Sequence, residues 1–92
     1  MDPREKFLLF VAQYAVVFDK SCNTRIGLSA LRLARTVPGP NVARDPETCA
    51  YDLLHWMTAT MIDQRLQERT DGSSVPPRTG VPERPAWLPH ER

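Results

Sequence analysis

Three residues with side chains able to bind metals, Cys49, Asp52 and His55, follow one another at intervals of three. With Cys22 they could offer thiolate, carboxylate and imidazole ligands to a transition metal. On a helix, however, Cys49 and His55 lie about 120° apart, so these side chains do not converge on one ion. The chain also lacks the C-x-x-C and H-x-x-x-H spacings. The pattern therefore predicts no metal site and no cofactor, with Cys49 as a small buried residue and His55 on a helix ridge.

Cys49 has a second possible chemistry, because it lies in the first turn of a predicted helix, where the helix dipole can lower a thiol pKa. A nucleophile also needs a base and groups that stabilise an oxyanion. No such group accompanies Cys49, and the other histidine, His90, lies in the C-terminal tail. The sequence therefore predicts a protein that is not an enzyme, with a reactive cysteine as the alternative.

Composition limits the protein to a small globular class. A chain of 92 residues makes one domain with a modest core. Its 41% hydrophobic and 25% charged residues are typical of soluble proteins, and a net charge of +1 argues against a general polyanion binder. Two cysteines do not form a disulfide framework, so a reduced, cytoplasmic protein is expected.

The elements that position these residues begin with the most apolar stretch, residues 7–18, in which only Gln13 is plainly polar. Asp2 is a typical N-cap, followed by a proline and then Glu5, and this start predicts a helix over 3–20. The apolar run is too short to span a membrane, which takes about 20 residues. The acids before it and the absence of a small-residue cleavage site argue against a signal peptide.

This first helix is apolar on every side. Phe7, Val11, Tyr14 and Phe18 form one ridge at helical spacing, flanked by Phe10 and Val17, while Leu9 and Val16 lie on the back. Two neighbouring helices cover about two-thirds of a helix circumference. We therefore expect a second copy, another protein or the tail to cover the rest.

Two further helices are predicted, over 24–36 and 46–69. Ser21 or Asn23 is available to cap the second helix, which ends before Pro38, and Asp45 caps the third. The predicted buried face of the second helix is Ile26, Ala30, Leu33, Ala34 and Val37. The third helix has a core stripe of Ala50, Leu53, Leu54, Met57 and Met61, and a second ridge of Tyr51, His55, Ile62 and Leu66.

The tail, residues 72–92, holds five of the nine prolines and is predicted to be extended. Its Trp87 and Leu88 favour docking onto the protein's own apolar surface, with disorder or an SH3-type ligand as alternatives. The predicted fold is therefore all-α: a small three-helix bundle in residues 1–71 with an extended proline-rich C-terminal tail.

The surplus of apolar helix surface predicts a protein-protein interaction module, either an adaptor or a homodimer. The predicted partner-binding residues are Tyr51, His55, Ile62, Leu66 and Trp87. The alternative is a small nucleic-acid-binding regulator, because residues 20–44 carry five bases and no acid. Its predicted contacts are Arg25, Arg32, Arg35 and Arg44, which could equally form a solvated face paired in part with acids of the third helix.

Overall fold

The computed structural model describes residues 1–22, 26–70 and 82–89, and the side chains of these residues except 21–22 and 62–70. The described residues contain four α-helices and no strand: α1 (Pro3–Cys22), α2 (Gly27–Arg35), α3 (Gly39–Val42) and α4 (Pro46–Thr70). The helical class is therefore confirmed. The three long helices correspond to the three predicted ones, and α3 is an addition.

The starts of α1 and α4 are fixed by aspartate caps, as predicted. Asp2 Oδ1 accepts a hydrogen bond of 2.9 Å from the Glu5 backbone N–H. Asp45 Oδ1 accepts one of 3.1 Å from the Thr48 N–H, and Asp45 Oδ2 accepts a second of 2.7 Å from the Thr48 hydroxyl. Each carboxylate thus satisfies a donor that has no partner within its helix.

The start of α2 differs from the prediction. Its N-cap is Ile26, which makes no capping bond with its side chain. The side chain of Ser21, one of the two predicted caps, lies outside the described ones. Instead the Ile26 N–H donates over 2.8 Å to Oδ1 of Asp19, a residue near the end of α1. A carboxylate seven residues earlier performs the capping, and Gly27 lies next to α1, with Ala15 close to its backbone. Asn23 itself lies outside the described residues.

The segment that ends α2 before Pro38, as predicted, also forms the short helix α3. Pro40 lies in the first turn, where a missing N–H costs no helical hydrogen bond. The Asn41 N–H donates to the Pro38 carbonyl over 3.1 Å, and the buried side chain of Val42 anchors the turn in the core. The prolines that end α2 therefore begin a new helical turn.

One apolar core joins all four helices. The faces predicted for the second and third helices are buried at Ile26, Ala30, Ala34 and Val37, and at Ala50, Leu53 and Leu54. Leu33, Met57 and Met61 are only partly buried at its edge. The other members are Phe7, Val11, Ala15, Val42 and Leu88. Helix α1 contacts each of the other three helices and is the centre of the arrangement.

Part of the tail packs on this core. Leu88 is only 2% exposed, and the Trp87 ring meets Phe7 edge to face, with 5.5 Å between ring centroids. The Asn41 side-chain amide donates to the Trp87 carbonyl over 2.7 Å, and a turn joins the Leu88 N–H to the Pro85 carbonyl. The predicted extended conformation concerns mainly residues that lie outside the described ones.

Candidate protein-interaction surface

The two sides of α1 have opposite exposures. Phe7, Val11 and Ala15 face the core and are buried. On the back of the helix, Leu9 is 46% exposed and Val16 58% exposed. The docked tail reaches Phe7 on the core side and therefore does not cover this back. The described part of the chain leaves one apolar side of its central helix open to solvent.

A group of aromatic rings crosses from α1 to α4 at the edge of the core. Phe10 stacks on Tyr14 at 6.0 Å, and Tyr51 meets Tyr14 and Phe18 edge to face at 6.5 and 5.5 Å. Tyr51 also stacks on His55 at 6.1 Å, with 9° between the ring planes. These spacings lie within the 4.5–7 Å range of favourable aromatic pairs. We call these five residues the aromatic band.

The aromatic band is open to solvent along one side. Tyr51 is 51% exposed, His55 is exposed, and Phe10, Tyr14 and Phe18 are half-buried. Val17, one helical turn beyond Tyr14 and 58% exposed, extends the apolar surface along α1. Rings held by mutual contacts lose little side-chain entropy on binding, which favours their use at an interface.

One polar contact fixes the α1 side of the aromatic band. The Tyr14 hydroxyl donates to Glu47 Oε1 over 2.5 Å, linking α1 to the first turn of α4. This hydrogen bond is the main cause that raises the pKa of Tyr14, and desolvation and the Glu47 charge raise it further. The negative carboxylate also lies near the positive end of the α4 dipole. The phenol therefore stays neutral and keeps its position in the band.

The structure brings together two of the predicted partner-binding residues, Tyr51 and His55, as a stacked pair. Trp87 is half-buried against Phe7, and together with His55 it lines a cleft of about 250 Å³ between α4 and the tail. The side chains of Ile62 and Leu66 lie outside the described ones. Sequence reasoning assigned the α1 members of the band to a core ridge. Their spacing along α1 identified the ridge, but only the tertiary fold brings its edge beside Tyr51.

The Cys49 thiol is poorly suited to nucleophilic chemistry. The side chain is half-buried, and this burial raises the pKa of the Cys49 thiol. The carboxylates of Asp52 and Asp45 raise that pKa further. These effects oppose the lowering expected from the helix dipole, so the thiol stays protonated at neutral pH. Among the described residues, no three potential ligands lie close enough together to hold a metal ion.

The predicted nucleic-acid contacts are spread over α2 and the connection before α4. Arg32, Arg35 and Arg44 are all exposed, and Arg25 lies outside the described residues. The guanidinium of Arg4 donates to the Arg35 carbonyl, which brings another cation to the end of α2. Arg32 also lines a shallow cleft of about 420 Å³ with Ser29, Leu33, Thr36 and Met57.

Comparison with known proteins gives no relative: no protein-family model, curated protein or solved structure matches this chain. Within residues 1–22, 26–70 and 82–89, no helix is both long enough and apolar enough to cross a bilayer. The functional inference therefore depends on the surface features described above.

Proposed function

We propose that this chain is a non-catalytic helical protein-interaction module, in which α1, α2 and α4 form a three-helix scaffold for an apolar binding surface. The observation that carries the proposal is the solvent-exposed aromatic band, with Tyr51 at its centre. Aromatic residues are enriched at the energetic centres of interfaces. No metal or cofactor is required for this activity.

The bound surface extends beyond the aromatic band. Burying one large apolar side chain contributes about 1.5–3 kcal/mol, whereas association costs about 4–15 kcal/mol. Tyr51 and Val17 alone are therefore too few. Ile62 and Leu66 follow Tyr51 within about 60° around the α4 axis and extend the same ridge toward the helix end. We assign the partner-binding surface to Tyr51, His55, Ile62 and Leu66, with Trp87 at its margin.

The chemistry of this surface indicates what a partner presents. The rings of Tyr51 and His55 offer flat apolar faces, and the Tyr51 hydroxyl and the His55 imidazole provide hydrogen-bonding groups. A short amphipathic helix with aliphatic or aromatic residues at i, i+4 and i+7 fits a ridge of this kind. Such a partner could belong to another protein or to a second copy of this chain.

The test compares captured proteins between matched variants. The tagged chain is used as bait in the original form and as Tyr51→Asp, Val17→Asp and Leu28→Asp. Leu28 is 80% exposed on α2, away from the aromatic band, so its variant controls for a new surface carboxylate. We expect a partner that is retained by the original chain and by Leu28→Asp but lost with Tyr51→Asp and Val17→Asp.

The purified partner is then titrated against each folded variant. We expect Tyr51→Asp and Val17→Asp each to raise Kd by at least about tenfold, and Leu28→Asp to leave Kd unchanged. Circular dichroism verifies that each variant keeps its helix content. Equal binding by all variants would show that the partner binds elsewhere on the chain. If the chain is monomeric and retains no protein, the proposed function is wrong.

A second candidate function, nucleic-acid binding, is supported by the arginine cluster. Arg4 approaches the end of α2, where Arg32 and Arg35 are exposed, so the basic surface is larger than α2 alone provides. Neutralising phosphates releases counterions and makes binding depend on salt. Replacing Arg25, Arg32 and Arg35 together should abolish a gel shift with DNA or RNA. If the original chain shifts neither at low salt, this candidate fails.

A further inference from the structure

The back of α1 has a second property beyond being apolar, namely a charge at each end. Its exposed residues recur at intervals of three and four and so share one side of the helix. We call this side the outer face; it consists of Glu5, Leu9, Ala12, Val16 and Lys20. An acid stands at the N-terminal end, a base at the C-terminal end, and aliphatic residues lie between them.

We propose that the outer face binds a second copy of itself, with the two α1 helices antiparallel around a twofold axis. In this arrangement Glu5 of each copy faces Lys20 of the other, and Leu9 faces Val16. The twofold axis passes between Ala12 and its neighbour Gln13. Rotation by 180° about this axis therefore places the acid of one copy opposite the base of the other, and aliphatic residues opposite aliphatic residues.

Charge complementarity selects this occupant and this orientation. A parallel pair would place Glu5 beside Glu5 and Lys20 beside Lys20, and like charges at that distance repel. An unrelated helix would match the outer face only if it carried the same spacing of acid, aliphatic residues and base. A second copy supplies that spacing automatically, because isologous association uses the same patch twice.

The dimensions of α1 suit this pairing. Glu5 and Lys20 are separated by about 22 Å along the helix at 1.5 Å per residue, which is four turns of contact. Ala12, exposed at the centre, lets the helix axes approach to about 8–10 Å. Leu9 and Val16, which are 46% and 58% exposed, are the side chains that would then be buried. Four aliphatic side chains in the dimer, two from each copy, together with two pairs of opposite charges, support a weak, concentration-dependent dimer.

Self-association on the outer face is separate from the proposed function. Phe10 lies about 100° around α1 from Leu9, so the aromatic band stays accessible when the outer face is paired. A dimer could therefore bind two partners at once, which increases avidity without any new contact. Failure of the dimer would leave the aromatic band as a monomeric binding surface, and failure of the band would leave the dimer intact.

The first experiment measures the dimer dissociation constant by sedimentation equilibrium at low salt. We expect Glu5→Lys and Lys20→Glu each to raise the dissociation constant by about tenfold. Both substitutions in one chain should restore the original value. Leu28→Glu, on α2, is the control and should leave it unchanged. The proposal would be overturned if the original chain stayed monomeric at the highest accessible concentration. It would also be overturned if the doubly substituted chain kept its helix content but did not recover dimerisation.

A second experiment tests orientation without changing the charges. Cys22 and Cys49 are replaced by serine, and chains carrying Leu9→Cys are mixed with chains carrying Val16→Cys under air oxidation. When the two kinds of chain are mixed in equal amounts, antiparallel pairing predicts more disulfides between them than random pairing gives. An excess of disulfides between identical chains would contradict the antiparallel arrangement, and a statistical mixture would show that the outer face does not pair specifically.

Discussion

The core side and the outer side of α1 are similarly apolar in sequence, yet they have opposite environments. Phe7 and Val11 are fully buried, whereas Leu9 and Val16 are about half exposed. In the described part of the chain, α2, α3, α4 and a piece of the tail surround the central helix. A domain of this size cannot bury all of its apolar surface. Apolar residues of the same kind therefore hold the fold together on one side of α1 and meet solvent on the other.

Truncating one residue on each side of α1 gives the largest test of this difference. We expect Phe7→Ala to lower the free energy of unfolding by about 3–5 kcal/mol, because it removes a fully buried ring and its contact with Trp87. We expect Leu9→Ala to change it by less than about 0.5 kcal/mol, since the Leu9 side chain is already about half exposed in the folded chain. Urea unfolding of both variants provides the measurement.

A dilution series distinguishes stability within the chain from stability gained by association. The small change in unfolding free energy expected for Leu9→Ala should also be found at low protein concentration, where an outer-face dimer dissociates. A loss of several kcal/mol there would mean that the outer side supports the fold itself, and the distinction between the two sides of α1 would then fail.

Two leucines outside α1 extend the same distinction to the rest of the chain. Leu88 is buried in the core, and Leu88→Ala should cost about 2–4 kcal/mol in unfolding free energy. Leu28, 80% exposed on α2, should tolerate alanine within about 0.5 kcal/mol. Thermal unfolding of the pair tests this directly. An equal response in both variants would show that the tail contributes no more to stability than a surface residue does.

The smallest effect concerns Tyr14, which lies at the boundary between the two sides. Because Glu47 raises the pKa of Tyr14, we expect its ionisation above the usual value of about 10. The stabilisation from this hydrogen bond is present below that value and is lost as pH rises through the folded-state pKa. Ultraviolet titration of Tyr51→Phe, in which Tyr14 is the remaining tyrosine, should show the shift, and adding Glu47→Ala should remove it. If Glu47→Ala leaves the Tyr14 titration unchanged, Glu47 is not the cause of the raised pKa.

Local signals in the sequence were sufficient for the long helices. Asp2 and Asp45 act on the residues just after them, and the spacing of Ile26 and Ala30 identifies their shared face without any knowledge of the fold. The helical class, the starts of α1 and α4, and the buried faces of α2 and α4 follow from such short-range patterns.

The features missed by sequence reasoning depend on contacts between elements. Asp19 caps α2 only because α1 and α2 pack closely, and α3 exists because Val42 finds a place in the core. Similarly, Tyr14 joins the aromatic band only because Tyr51 is brought beside it. Tyr51 and His55 could be predicted as a surface ridge, but the α1 half of that surface depends on tertiary packing.

The docked tail also has a consequence for the order of events in folding. The Asp19 contact with Ile26 spans seven residues, whereas the Asn41 contact with Trp87 spans 46. Long loops close at a greater entropic cost, so we expect the tail contacts to form after the helices have packed. Leu88→Ala should therefore accelerate unfolding while leaving the folding rate nearly unchanged. The unfolding half-life of the native chain should then depend on a segment that takes little part in its formation.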